Sequence, residues 1–369
     1  MKIIFSDNTL WGLINFRGDI IKHFVNRGAE VVLVAPEKED KQMRTELPEG
    51  VRYLSVEMGR ASKSPLKNIK YFFNIISIYY KERPDYIFHY TIKPNVYGTL
   101  AAHLFKIPNT AMMPGLGYVF TNNNLTARIA RLLYKHSLQF TSHLFLLNRS
   151  NYELVLQNKI VPPSKIVLLE HGEGVNLERF RFFDNTSESV VFTFIGRVLW
   201  EKGYEEFSQA ARIVKRKYPT IQFEVWGALD DAYPKSVSKQ RVQQDEKDGV
   251  LIYKGFVSDM MKVYERKGMV VTLPSYYGEG MNRSLMEACA VGKPIITTDI
   301  AGCRELVEHG KNGYVVPVKN IEKLAEAMIK YIELSENEKK SFSIASRAYA
   351  EKFLDVQNIC KVYDNLVKR

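Results

Sequence analysis

Two glutamates stand eight residues apart in the stretch YYGEGMNRSLMEACAVGKP, which spans residues 276–294. Glu279 follows a glycine ahead of a predicted helix, and Glu287 lies more than a turn inside that helix. A carboxylate repels phosphate, but it accepts hydrogen bonds from neighbouring hydroxyl groups. If a nucleoside diphosphate binds here with its anionic linker between the two acids, Glu279 is a candidate to hold hydroxyls of a transferred sugar and Glu287 to hold those of a ribose. The alternative is an ordinary loop charge followed by an ordinary helix glutamate.

Two cations, Arg197 and Lys202, follow the apolar run VVFTFI at 190–195. Gly196 precedes the first cation and Gly203 follows the second. Paired cations in a strand-end loop can clamp a diphosphate. The alternative is a pair of solvated surface side chains, but the glycines and the strand-end position favour the clamp.

The start of the predicted helix at 282–291 offers a third anion-binding element. The first backbone N–H groups of a helix have no partner within it, and the helix dipole favours an anion there. We expect these groups, at Asn282, Arg283, Ser284 and Leu285, to be free. The predicted nucleotide site comprises Gly196, Arg197, Lys202, Glu279, Gly280, Met281, Asn282, Ser284, Leu285 and Glu287.

The loops that carry these residues can form one site only if they leave the same edge of a sheet. Apolar runs alternate with amphipathic segments in two successive series along the chain, which predicts an α/β protein with two doubly wound parallel sheets. The predicted strands are 2–6, 30–35, 85–90, 109–113 and 143–147, then 190–195, 221–226, 250–255, 269–274 and 294–298. Helices are predicted near 15–27, 66–82, 95–105 and 124–141, then 203–217, 258–266, 282–291 and 320–332. Ligands bind beyond the carboxyl ends of parallel strands, so the loops after 190–195 and 269–274 should converge on one ligand.

The polar stretch RFFDNTSES predicts a boundary between two domains, at residues 1–180 and 181–345, with a last helical segment at 346–369 that could return to the first domain. If the domains face each other, the strand-end loops of the first domain form the opposite wall of a cleft. The residues predicted there are Gly12, Lys93, Asn95, Gly115 and Gly117. Lys93 would supply a cation near the reacting centre or an acceptor phosphate; the alternative is a capping or surface lysine.

The composition of the 369 residues, with 46% apolar and 25% charged residues, is that of a folded domain protein. No apolar run is long enough to span a membrane and the N-terminus lacks a signal-peptide pattern, so we expect a cytoplasmic protein. Three cysteines without metal-site spacing fit a reducing compartment. The net charge of +11 is uneven, because residues 1–185 hold 24 Lys and Arg against 16 Asp and Glu. This excess indicates either a solvated basic face or attraction to an anionic partner.

The donor-side motifs resemble those of the family 4 glycosyltransferases. The family's pattern of two glutamates separated by seven residues reads E-GMNRSLM-E here, GRVLWEKG resembles its phosphate clamp, and HGEGVNLERF resembles the entry to its second domain. YTIKPNVYG and PGLGYVFT resemble a subgroup that builds bacterial surface polysaccharides and lipid-linked oligosaccharides.

The resemblance implies a GT-B fold, with two Rossmann-like domains facing each other across a cleft. The first would bind the acceptor and the second a nucleotide sugar, most often a UDP-sugar. It further implies retaining transfer to a saccharide on a polyprenyl diphosphate. The catalytic residues would be Glu279, Arg197, Lys202 and Lys93.

Two positions depart from the family pattern. Many relatives carry a glycine pair in the first loop, where this chain has Gly12 alone, and many place a histidine near the donor sugar, a role to which His89 cannot be matched. The chain also lacks an Asp-x-Asp motif, so we expect no metal or other cofactor. Arg197, Lys202 and the helix amides would then neutralise the leaving phosphate.

Other functions remain open. A nucleotide-sugar epimerase would need no acceptor, and a non-catalytic subunit would bind a lipid-linked glycan without transfer. Nucleic-acid binding is disfavoured, because no basic and aromatic platform stands out. Peripheral contact with an anionic inner membrane is expected through two basic segments, whose cations are Lys63, Lys67, Lys70, Lys81 and Arg83, and Arg128, Arg131 and Lys135.

Overall fold

Apolar runs without alternation are typical of parallel strands that helices cover on both faces. A computed structural model describes residues 1–36, 47–58, 64–115, 124–187, 189–230, 233 and 235–368, and the predicted runs form strands in it. The strands are β1 (Lys2–Ser6), β2 (Glu30–Ala35), β3 (Val51–Ser55), β4 (Tyr86–Tyr90), β5 (Asn109–Met113), β6 (His143–Leu146), β7 (Ile166–Leu168), β8 (Val191–Ile195), β9 (Gln222–Trp226), β10 (Ile252–Gly255), β11 (Met269–Leu273), β12 (Ile295–Thr298) and β13 (Gly313–Val316).

Several of the helices begin at polar residues whose side chains accept from the first turn, as Thr9 does from the Gly12 amide and Asn124 from that of Ala127. The helices are α1 (Leu10–Asn26), α2 (Pro65–Glu82), α3 (Thr99–Leu104), α4 (Leu125–Leu138), α5 (Arg149–Gln157), α6 (Tyr204–Lys217), α7 (Lys239–Lys247), α8 (Met261–Tyr264), α9 (Arg283–Ala290), α10 (Ile321–Ile332), α11 (Glu336–Phe353) and α12 (Val356–Val367). A π-helical turn, Pro94–Gly98, precedes α3. None of the described helices combines the length and the apolar character that crossing a bilayer requires.

The strands form two parallel sheets, in two units. The first unit (Met1–Glu173 with Val356–Arg369) holds a sheet in the order β3-β2-β1-β4-β5-β6-β7, and the second (Gly174–Asp355) holds one in the order β10-β9-β8-β11-β12-β13. In each sheet the chain winds outward, then returns to the centre and winds the other way. The predicted doubly wound architecture is therefore confirmed.

The units divide at Glu173 and Asp355, whereas the sequence placed the boundaries at 180/181 and 345/346. Phe180 belongs to the second unit because its ring is buried in that unit's core. The later boundary follows from α11, which runs unbroken to Phe353 and buries Ser346 against the second sheet. A boundary inside one packed helix would expose that buried face.

Candidate active site

The order of the second sheet reverses between β8 and β11, which are neighbours. In open parallel sheets, ligands bind at such a switch point, beyond the carboxyl ends of the strands. The loop that follows β8 and the loop that follows β11 both start there. The two candidate segments, at 196–203 and 274–282, therefore leave the same point of the sheet, as predicted.

Gly203 lets these two loops approach each other. Its φ is +84°, and a Cβ there would stand 2.1 Å from the carbonyl oxygen of Pro274. Only glycine fits such a left-handed position at this distance. The approach places Lys202, at the end of the 3₁₀ turn Trp200–Lys202, beside the β11 loop.

Lys202 and Glu279 form an ion pair across the two loops. Both side chains are almost buried, with about a tenth of each exposed to solvent. The Ser275 hydroxyl also lies within 3.4 Å of Glu279 Oε1, and the ring of Tyr277 lies 5.4 Å from the ammonium group. The two residues that the sequence assigned to a diphosphate and to a sugar thus lie in direct contact.

Arg197 lies in the same loop but in a different environment. Its side chain is exposed, and the Tyr233 ring lies 5.4 Å from the guanidinium carbon. Within the described residues, no carboxylate forms an ion pair with it. A guanidinium carries five N–H donors in a planar arrangement that suits an anionic ligand.

The start of α9 differs from the prediction of four free amides. Asn282 caps the helix, with Oδ1 accepting from the Leu285 amide at 3.1 Å, and its own amide donates to Gly302 O at 2.8 Å. Asparagine is among the residues most often found as a helix N-cap, which is why Asn282 occupies the Leu285 amide. Among the described residues, the amides of Arg283 and Ser284 have no acceptor, so two donors remain for an anion.

Ser284 ties α9 to the end of β8. Its hydroxyl lies 3.0 Å from Ile195 O and 2.8 Å from Asn282 Oδ1. The side chain of Leu285 is fully buried in the core, Gly280 is buried, and Met281 packs partly against the core. These three residues therefore pack the loop and the first turn of α9 against the core of the second unit.

Glu287 is buried within α9 and already holds two hydrogen bonds. Oε1 accepts from Arg283 Nε at 2.8 Å, and Oε2 accepts from the Tyr264 hydroxyl at 3.4 Å. Burial raises the pKa of Tyr264 well above its usual value, and the Glu287 carboxylate raises it further, so this hydroxyl stays protonated. A carboxylate has about four acceptor positions, which leaves capacity for ribose hydroxyls.

The first-unit candidates lie at the strand ends but in different settings. Lys93 Nζ donates to Asn68 Oδ1 at 2.8 Å, and burial lowers the pKa of Lys93. Asn95 is fully buried, and its amide donates to Met112 O at 2.7 Å, so it supports the loop from inside. Gly12 lies in the first turn of α1 and Gly115 just after β5. Gly117 lies outside the described residues.

Sequence reasoning missed a buried polar network at the switch point of the first sheet, between β1 and β4. Arg17 donates to Glu173 at 2.8 Å and stacks on the ring of Tyr90 at 4.4 Å, while the Tyr363 hydroxyl donates to Glu173 at 3.1 Å. Asp7 lies 3.9 Å from Arg17. No motif signals this set, because its members are scattered along the chain.

His89 lies in the core of the first unit. Its side chain is fully buried, and Nε2 lies 2.8 Å from the Tyr79 hydroxyl. Burial lowers the pKa of His89 to about 3, so the ring is neutral near pH 7. The ring packs under the π-helical turn, against Gly98.

Comparison with known proteins identifies the family. The family model "Glycosyl transferases group 1" matches residues 177–349, and "Glycosyl transferase 4-like" matches residues 2–148. The N,N'-diacetylbacillosaminyl-diphospho-undecaprenol alpha-1,3-N-acetylgalactosaminyltransferase of Campylobacter jejuni is 30% identical, with all of both chains covered. The chain is a family 4 glycosyltransferase. The predicted family and the predicted enzyme class are thereby confirmed.

Another relative of this glycosyltransferase is the UDP-Gal:alpha-D-GlcNAc-diphosphoundecaprenol alpha-1,3-galactosyltransferase of Escherichia coli, at 24% identity over 89% of this chain and 86% of the relative. Solved structures confirm the GT-B fold. Sucrose-phosphate synthase from Thermosynechococcus elongatus superposes with a TM-score of 0.81 at 15% identity, covering 100% of this chain and 98% of its own. HepE from Anabaena, in complex with UDP and glucose, superposes with a TM-score of 0.80 at 18% sequence identity, and the match covers 100% of this chain and 99% of HepE.

Proposed function

We propose that this glycosyltransferase moves a sugar from a UDP-sugar to a saccharide on a polyprenyl diphosphate, with retention of the α-configuration. The observation that carries the proposal is the contact between Lys202 and Glu279 at the switch point of the second sheet. This contact supports the proposal because a cation suited to phosphate lies beside a carboxylate suited to hydroxyl groups, and a sugar diphosphate requires both.

The relatives support the substrate classes. Two of them are named for acceptors linked to undecaprenyl diphosphate, and the name of one gives UDP-galactose as donor. The 30% identity to the first covers the whole chain, including the unit that would bind the acceptor. The acceptor class also supports a reaction at the cytoplasmic face of the inner membrane, with peripheral contact between the enzyme and anionic lipid.

Donor binding follows from the charges of the site. Arg197 and Lys202 would bind the diphosphate, together with the amides of Arg283 and Ser284. Lys202 would exchange its carboxylate partner for phosphate, which frees Glu279 to accept from sugar hydroxyls. Glu287, held by Arg283, would accept from the ribose.

Transfer would proceed on one face of the sugar. The anomeric carbon loses its bond to the phosphate oxygen and gains one to the acceptor oxygen, while the acceptor's proton passes to the departing phosphate. The products are an α-glycoside and UDP. We propose that the cations and amides stabilise the leaving group without a metal ion, through preformed donors. Lys93 would supply a cation on the acceptor side.

A donor panel tests the proposal. The purified enzyme is incubated with UDP-N-acetylgalactosamine, UDP-galactose, UDP-glucose or a GDP-sugar, with and without an undecaprenyl-diphosphate-linked saccharide in detergent. We expect UDP release and an α-linked product with one UDP-sugar, unaffected by EDTA. An isomerised donor without acceptor would instead indicate an epimerase, and acceptor binding without turnover would indicate a non-catalytic subunit. Loss of transfer in EDTA, restored by Mg²⁺, would contradict the metal-free clamp.

A further inference from the structure

Helix α4 is apolar on two opposite faces. Ala127, Tyr134 and Leu138 are buried against the first sheet. Leu125 and Leu132, on the opposite side of the helix, are 73% and 66% exposed, and Ile129 between them is 49% exposed. A surface helix ordinarily turns polar residues outward. Within the part of the chain that the structure describes, the outward apolar stripe of α4 therefore stays largely exposed to solvent.

Helix α2 repeats this arrangement. Tyr71, Ile75 and Tyr79 form its buried face. Its outward stripe recurs at helical spacing and consists of Leu66, Ile69, Phe73 and Tyr80, which are 79%, 51%, 62% and 62% exposed.

Helix α3 joins the two stripes into one surface. The exposed Phe105, just after α3, lies 6.2 Å from Tyr80 between ring centroids. His103 of α3 stacks on Phe140 at 4.0 Å, and Phe140 lies 5.9 Å from His136 of α4. A chain of ring contacts thus connects the exposed residues of α2, through α3, with those of α4. Grouped exposed apolar side chains of this kind, unlike single scattered ones, indicate an interaction surface.

The charge around the stripes is positive. Arg128, Arg131 and Lys135 follow one edge of the outward face of α4, and Lys67 and Lys70 flank the stripe of α2; Lys70 contacts Glu57 at 2.6 Å. Residues 86–152 contain six Lys and Arg and no Asp or Glu.

An open groove adjoins α4 and extends this surface. It has a volume of about 700 Å³, and its lining includes Leu132, Leu156 and Ile160, with Lys135 and Lys159 among its polar groups. Apolar walls beside lysines suit the boundary between phospholipid head groups and acyl chains.

We propose that the outward faces of α2, α3 and α4 form a docking surface that inserts into an anionic phospholipid bilayer. Apolar side chains that enter the boundary region and cations that meet lipid phosphates are the two components of interfacial helix binding. A second copy of the chain is disfavoured as occupant, because a symmetric contact would bring the cations of α4 against their own equivalents.

The surface connects to the candidate site. Asn68, in the first turn of α2, holds Lys93 at 2.8 Å, so the docking helix and the strand-end loop of the first sheet are in direct contact. A bilayer against α2 would therefore lie near the residues proposed to meet a lipid-linked acceptor. The inference rests on the proposed function for the choice of a membrane as partner.

Vesicle flotation of the full chain, without donor or acceptor, tests the surface. We expect the wild type to float with phosphatidylcholine vesicles that contain phosphatidylglycerol, and much less in high salt or with phosphatidylcholine alone. I129S/L132S should lower partitioning about tenfold or more, because two apolar side chains lose their insertion. R128S/K135S should lower it about tenfold at low salt.

Matched controls are available in the second unit. Ile344→Ser removes an equally exposed isoleucine from α11, and K239S/K247S removes two exposed lysines from α7. Both should float like the wild type. Flotation of I129S/L132S equal to that of the wild type would overturn the proposal. A lipid-free dimer of the wild type that I129S/L132S abolishes would also overturn it and identify a second copy as the occupant.

Activity in detergent separates this inference from the proposed function. I129S/L132S should transfer sugar to a detergent-solubilised acceptor at the wild-type rate, because its substitutions lie outside the catalytic site. A wild type that floats but transfers from no donor would sink the proposed function and leave the docking surface supported. If the wild type transfers sugar in detergent but never floats with vesicles, the docking surface is overturned and the proposed function stays supported.

Discussion

Lys202 and Glu279 form an almost buried ion pair, to which we assign a part in both folding and sugar transfer, and substitutions can separate the two contributions. Removing one partner of an almost buried pair leaves the other charge uncompensated. Lys202→Ala should therefore lower the free energy of unfolding by about 1–3 kcal/mol. K202M/E279Q, which removes both charges, should recover most of that loss in urea unfolding while transfer stays abolished. Equal stabilities of the single and double variants would contradict a coupled pair.

Arg197 should behave differently, because its exposed head forms no ion pair with the described residues. Arg197→Ala should lower kcat/KM by roughly 10²–10³, the loss typical of one preformed donor to developing charge. Its melting temperature should match that of the wild type. Arg216→Ala, at an exposed position of α6, is the matched control and should keep full activity. Near-wild-type transfer by Arg197→Ala would contradict its place in the clamp.

For single residues, the sequence predicted that the loops carrying Lys202 and Glu279 leave the same edge of one sheet, because strand and helix patterns alternate along the chain. It did not predict that the two side chains form an ion pair with each other. The i, i+4 spacing of Arg283 and Glu287 is a sequence signal for their ion pair. No sequence signal indicates the hydrogen bond from Tyr264 to Glu287, because only the tertiary fold brings these two residues together.

Among the elements, the turn that starts α6 depends on one glycine. Gly203→Ala would place a methyl group against the Pro274 carbonyl at a left-handed position, so we expect a loss of at least about 3 kcal/mol in the free energy of unfolding. Gly249→Ala is the control, because Gly249 has a φ of +69° but no atom within 4 Å of its Cβ position. It should cost only about 1 kcal/mol. Equal losses would show that backbone conformation, not the close approach, dominates at Gly203.

The core of the first unit should be sensitive to acid through His89. Its folded pKa of about 3 lies below the usual value of 6.5, so below pH 6.5 the unfolded chain binds a proton that the folded chain does not. As the pH is lowered below 6.5, the free energy of unfolding should therefore decrease, by about 1.4 kcal/mol per pH unit from this residue. His89→Gln should show a correspondingly shallower loss in urea unfolding between neutral pH and pH ~5. Identical pH slopes in the two proteins would contradict a neutral buried histidine.

The elements that the sequence missed share a physical cause. β3, β7 and β13 are edge strands. Arg52 interrupts the apolar residues of β3, and β7 and β13 are only 3 and 4 residues long, so none of them carries the longer apolar run of a central strand. The polar helix α7 buries Val242 and Asp245, which leaves almost no helical apolar pattern to detect. Central strands, buried on both faces, carry the strongest signal and were predicted within a residue or two.

In the molecule as a whole, the last helix completes the first unit. Tyr363 of α12 is fully buried, and its hydroxyl lies 3.1 Å from both Glu173 and Tyr90. A chain that ends at Asp355 should lose cooperative stability in the first unit only. We expect limited proteolysis to degrade residues before Gly174 and to spare the second unit. A digestion pattern like that of the full chain would contradict this.

The sequence allowed a returning helix at 346–369 but could not establish it, because an amphipathic helix does not reveal which surface it covers. The contact of Tyr363 with Glu173 spans 190 positions, and no local pattern encodes such a pairing. The difference between the predicted boundary at residue 180 and the observed one at Glu173 has the same cause. Phe180 belongs to the second unit because its ring packs in that unit's core, and a sequence pattern does not show tertiary packing.

Because the second unit is contained between two segments of the first, it is synthesised in full before the first unit is complete. The ribosome releases Asp355 before helix α12, so the second sheet can fold while the first unit still lacks the helix that carries Tyr363. Translation that stops shortly after Asp355 would therefore yield a polypeptide with a complete second unit and an incomplete first unit.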